Sequence, residues 1–146
     1  MQIKKIKRLK PLIIYYGLLQ TLHLLTLAYA GLMIAGGDPA PFPILPPPGG
    51  WVDQTMPFLF GLAGTDLIGI LLGILFAYRA VIKKVFNSRL ALLSLTIFIT
   101  GAIVFGAGTF PSGAWAAHPV AYWIMVVLFL PSVLLYVLLI KNETNK

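Results

Sequence analysis

The stretch PFLFGLAGTDLIGILLGILFAYR, from Pro57 to Arg79, holds twelve Leu, Ile and Phe residues and a single carboxylate, with no cation before its last residue. As a helix rising ~1.5 Å per residue it is long enough to cross the ~30 Å of hydrocarbon in a bilayer. Its apolar residues cover every face rather than one stripe, which predicts a membrane span and not a helix packed on a soluble core.

Three more runs have the same character: Pro11 to Gly36, Leu90 to Phe110 and Val120 to Ile140. The expected fold is an all-α integral membrane protein, a four-transmembrane-helix antiparallel bundle forming a single transmembrane domain over residues 1–146. Its connections are a proline-rich loop (37–56), a basic loop (80–89) and a loop without Lys or Arg (111–119). With 59% apolar and 10% charged residues, no stretch remains for a soluble domain.

The cations set the expected orientation. Lys4, Lys5, Lys7, Arg8 and Lys10 precede the first span, Arg79, Lys83, Lys84 and Arg89 border the second connection, and Lys141 and Lys146 follow the last span. Loops rich in Lys and Arg stay cytoplasmic, so both termini are predicted in the cytoplasm of a cell-membrane protein, with loops 37–56 and 111–119 outside. The net charge of +7 is then a topological signal at membrane borders, and nucleic acid is not an expected partner.

Two further readings attach to the N-terminus. A basic start, an apolar stretch from Leu12 to Leu27, and Ala28 and Ala30 flanking Tyr29 resemble a cleavable signal peptide, although apolar character continues to Gly36. Ile3, Ile6 and Leu9 recur every three residues among the cations, a spacing that fits either a short helix on an anionic leaflet or a mere orientation signal.

Zero cysteines exclude disulfides, thiolate metal sites and thiol catalysis. The two histidines, His23 and His118, have no metal-ligand spacing, and no P-loop, G-x-S-x-G or H-E-x-x-H motif occurs. No cofactor is expected.

What remains is a set of polar residues at one depth. Counted at ~1.5 Å per residue, His23 lies about 17 Å from one border and Asp66 about 14 Å from the other, with Thr100 about 15 Å and Pro131 about 16 Å along their own spans. Ser132 stands beside Pro131. An Asp at a span centre costs roughly 2.5 to 3.5 kcal/mol, which the twelve Leu, Ile and Phe residues of this span offset at roughly −0.3 to −0.6 kcal/mol each.

Gly69 and Gly73 share the face of Asp66 as a Gly-x-x-x-Gly pair, so that face is expected to look into the bundle, with Asp66 protonated, hydrogen-bonded or paired with a cation. Gly61 and Gly64, and Gly101, Gly106 and Gly108 on the third span, also suggest tight packing. On the first span Tyr16, Gln20, His23, Thr26 and Ala30 follow at helical spacing, a polar stripe that should face the other helices and bring His23 within reach of Asp66. The same polar groups could simply hold helices together.

Pro131 removes one backbone hydrogen bond and frees the Val127 carbonyl, opening a pocket or bending the helix. Outside, six prolines between Asp38 and Trp51 forbid helix. Phe42, Ile44, Leu45 and Trp51 could fold over the bundle mouth, offer a surface to a partner, or serve as a tether with an interfacial Trp. Trp115, Tyr122 and Trp123 read most simply as an aromatic belt, with His118 at the same surface.

The leading expectation is a non-catalytic bundle with a polar midplane at His23 and Asp66, supported by Gln20, Thr26, Tyr16, Thr100 and Ser132, binding a small apolar or protonatable ligand or handling protons. Rival readings are a structural or accessory subunit, pairing with another membrane protein or with itself, and a small enzyme acting on a lipid or quinone with Asp66 and His23 as acid and base. The lipid bilayer is a partner in every case.

Overall fold

The computed structural model describes residues 2–38, 44–52 and 55–144, with the backbone alone for 2–7. Phe42, Pro39, Pro41 and Pro43, the side chains of Ile3 and Ile6, those of Lys4, Lys5 and Lys7, and Lys146 lie outside the described residues. Four long helices carry the chain: α1 (Gln2–Ala35), α2 (Thr55–Val81), α3 (Ser88–Thr109) and, after a 3-10 turn (Phe110–Ser112) and the short α4 (Ala114–Ala117), α5 (Pro119–Thr144). All four are long and apolar enough to cross a membrane. The protein is an all-α bundle with no strand among the described residues.

The basic N-terminal segment is not a separate surface helix. It continues α1 without a break, because Leu9, Ile13 and Tyr16 stand on one helical face and all pack into the core. The helix likewise runs unbroken through Ala28 and Ala30, and Ala30 is buried. The loop predicted over 111–119 is mostly helical turn: Pro111 lies in the 3-10 turn that Phe110 starts, and Gly113, at φ 85, reverses the chain before α4. At the other end Asn87 caps α3 by accepting a hydrogen bond from the Leu90 N–H at 3.0 Å.

Small residues bring α2 against both of its neighbours. A Cβ added at Gly69 would stand 2.7 Å from Ile97 Cγ2 on α3, one at Gly73 would stand 2.9 Å from Tyr16 Oη and from Gln20 Cγ on α1, and one at Gly17 would stand 2.6 Å from Ala77 Cβ. Gly101 and Gly108 are similarly tight against Asp66 and Phe58. Gly61 and Gly64 differ from expectation: they are exposed, with open space where a Cβ would go, because they lie on the α2 face turned away from α1 and α3.

α5 packs less closely against the rest. Hydroxyls tie it to its neighbours: Tyr15 donates to the Leu128 carbonyl at 2.6 Å and Thr96 donates to Tyr136 Oη at 3.2 Å. Pro131 lies inside the continuous helix α5, and the Leu128 carbonyl that Tyr15 reaches is three residues before it.

Two packed layers result. One, around Leu9, Ile13, Phe76, Leu95, Leu135 and Leu139, fills the end of the bundle that carries the termini. The other, around Leu59, Phe105, Ala114 and Tyr122, closes the opposite end, with Ile44 and Trp51 of the proline-rich loop packed on it.

The contrast among the glycines is testable by thermal unfolding in detergent. Gly69→Ala should lower stability by roughly 1 to 3 kcal/mol, since Ile97 is branched at Cβ and cannot swing aside. Gly64→Ala, entering open space, should be neutral or slightly stabilising.

Candidate functional site

Between the two packed layers the helices leave a chamber of about 360 Å³. α1 contributes His23 and Thr26, α2 contributes Asp66, Leu59 and Leu62, α3 contributes Phe98, Ala102 and Phe105, and α5 contributes Met125 and Phe129. Its volume is in the range of small-molecule sites, and its lining is apolar apart from His23, Thr26, Asp66 and the Trp115 indole, the composition expected of such a site.

Each polar side chain reaches the chamber for a local reason. Asp66 leans across the α2 and α3 interface, where Gly101 leaves room: a Cβ there would collide with Asp66 Oδ1. His23 is held edge-on to the Phe98 ring, centroids 6.0 Å apart at 66°. Thr26 is occupied, donating back to the Leu22 carbonyl at 3.0 Å. Among the described residues no hydrogen bond or ion pair joins His23 to Asp66, and neither has a protein partner there, so two polar groups share one space without bonding each other.

Other expected site residues lie elsewhere. Tyr16, Gln20 and Ser132 are fully buried and do not line the chamber; the Phe98 ring meets Tyr16 at 5.8 Å as well as His23. Among the described residues, both ends of the Gln20 amide and the Ser132 hydroxyl have no hydrogen-bond partner. Thr100 is exposed on the outer face of α3, a quarter-turn from Gly101, which faces inward. Gly69 and Gly73 serve packing. No cluster of three metal-ligating side chains occurs among the described residues.

The proline-rich loop and the turn after α3 form a roof. Tyr122 donates to the Leu45 carbonyl at 2.7 Å, and His118 Nε2 lies 3.0 Å from the Pro46 carbonyl, an acceptor only, so this nitrogen carries the proton. Trp115 stacks on Tyr122 with centroids 4.9 Å apart and donates from its indole to Thr109 Oγ1 at 2.9 Å, while Thr109 is anchored to the Phe105 carbonyl at 2.7 Å. Trp51 packs against the same aromatic cluster. Trp115 and Tyr122 are therefore internal parts of the roof, because their polar atoms have partners inside the bundle; Trp123, 59% exposed, keeps the position expected of a belt residue.

The chamber is partly open at its sides, where the lining residues Leu22, Ile103 and Leu128 are 56%, 64% and 37% exposed. Roofed at one end and filled at the other, it opens through apolar flanks.

Phe98 and Phe129 give no signal in the sequence, being apolar residues in apolar helices; Gly101, expected only to allow tight packing, is where Asp66 leans across. No family model, curated protein or solved structure matches this chain, so the chamber is interpreted from its own residues.

Removing the hydroxyl that holds the roof, by Tyr122→Phe, should cost about 1 kcal/mol. It should also speed amide hydrogen exchange at Gly50 and Trp51, read by mass spectrometry, with His118→Ala acting in the same direction.

Proposed function

We propose that this is a multi-pass protein of the cell membrane, a single transmembrane domain with both termini cytoplasmic, that binds a small apolar molecule bearing one hydrogen-bonding or protonatable group and does no chemistry on it. One observation carries the reading: Asp66 and His23, on separate helices and without hydrogen-bond or ion-pair partners among the described residues, open on the same apolar chamber. A buried polar group without a partner is costly, and a guest that supplies one recovers that cost as affinity.

The position of the openings supports a guest dissolved in the bilayer. Leu22, Ile103 and Leu128 offer an apolar route at the flanks, whereas the roof at the end is latched by Tyr122 and His118. Asp66 and His23 then orient the polar end of the guest, and Phe98, Phe105 and Phe129 hold its body.

Native mass spectrometry of protein drawn from its own membranes in mild detergent should find a small molecule bound one to one. The double variant Asp66→Asn, His23→Ala should lose it while keeping helical circular dichroism and the melting temperature within a few degrees of the parent. A parent protein free of any bound molecule, or a double variant that keeps it, would sink the proposal.

A further inference from the structure

The polar groups of the chamber are unequal in charge, and this selects among guests. Asp66 is the one acidic residue in the lining, and neither Lys nor Arg lines it. The described cations nearest in sequence, Arg8 and Lys10 on α1 and Arg79 on α2, lie at the helix ends with the termini, beyond the layer filled by Ile13, Phe76 and Leu95. No ion pair reaches Asp66 among the described residues. An anionic guest would meet a carboxylate with nothing to balance it.

Four rings share the lining with that carboxyl. Phe98, Phe105, Phe129 and Trp115 all line the chamber, and the Phe98 and Phe129 rings stand 5.2 Å apart at 46°. Ring faces attract a cation through their quadrupole, more strongly where water is excluded. A single carboxyl in a chamber lined in part by rings and entered through apolar flanks has the chemistry of a site for a cation that can also dissolve in hydrocarbon.

We infer that the guest of the chamber is a lipophilic monocation, a protonated amine or quaternary ammonium on an apolar body, paired with Asp66 and seated among the Phe98, Phe105, Phe129 and Trp115 rings. This rests on the reading of the chamber as a ligand site. His23, edge-on to Phe98, serves as a hydrogen-bonding wall.

The test compares two probes of one shape. Benzyltrimethylammonium carries a quaternary nitrogen where neopentylbenzene has a carbon, so they differ in charge and scarcely in size. Each is offered to the full chain in lipid nanodiscs, with the rise in melting temperature as readout and equilibrium dialysis of radiolabelled benzyltrimethylammonium against empty nanodiscs for affinity.

The expected result is saturable binding of the cation, weakened ~10-fold or more by Asp66→Asn and restored in part by Asp66→Glu, with little response to neopentylbenzene. Should neopentylbenzene stabilise the parent as well as the cation does, or Asp66→Asn keep its affinity for the cation, the charge inference falls while the chamber stands as a site for neutral guests. The probe comparison on the parent decides this even if Asp66→Asn does not fold. If neither probe binds the parent, the ligand-site reading fails and takes the cation with it.

Discussion

Helices in a bilayer gain little by hiding apolar surface from one another, since lipid is as apolar as they are, so their association rests on close van der Waals contact and a few polar bonds. In this bundle that contact is the approach of α2 to α1 and α3 through Gly17, Gly69, Gly73 and Gly101. Each of these positions lacks a side chain where a neighbour would otherwise be pushed away. The same approach carries Asp66 across to α3 and sets α1 close enough for His23 to reach the common space. Remove the close contacts and no chamber wall keeps its place.

The chamber exists because the fourth helix does not follow. α5 is buried at Ser132, Leu135 and Leu139 near one end and at Tyr122 near the other, and the stretch between is left half-covered or exposed. Two packed layers with a looser middle make a cavity without any insertion or break in the helices. Phe98 forms its floor, touching Tyr16 below, and His23 and Phe129 at the level of the chamber.

Unbroken apolar runs make the bundle readable, because a span must be apolar over its whole length and that demand shows directly in composition. Depth was readable too: counting along helices of fixed rise put His23 and Asp66 near one level, and both line the chamber. Rotation about each helix axis was less so. Thr100 was chosen for its polarity, yet the helix turns it outward and Gly101 inward, a difference of one residue that depth alone cannot resolve. Tyr16 and Gln20 are buried as the stripe suggests, but neither lines the chamber, and Tyr16 packs instead against a bulky ring on another helix. The fate of Trp115 and Tyr122 was set by bonds to Thr109 and to the Leu45 carbonyl, long-range partners that no local pattern announces.

The latch on the roof grips main-chain oxygens, those of Leu45 and Pro46, and not the side chains around them. Natural variation can therefore rewrite much of the segment from Leu45 to Pro48 so long as the backbone path is kept, whereas Tyr122 and His118 have no such freedom. Among descendants of this chain, mutational drift should gather on one side of the joint and constancy on the other.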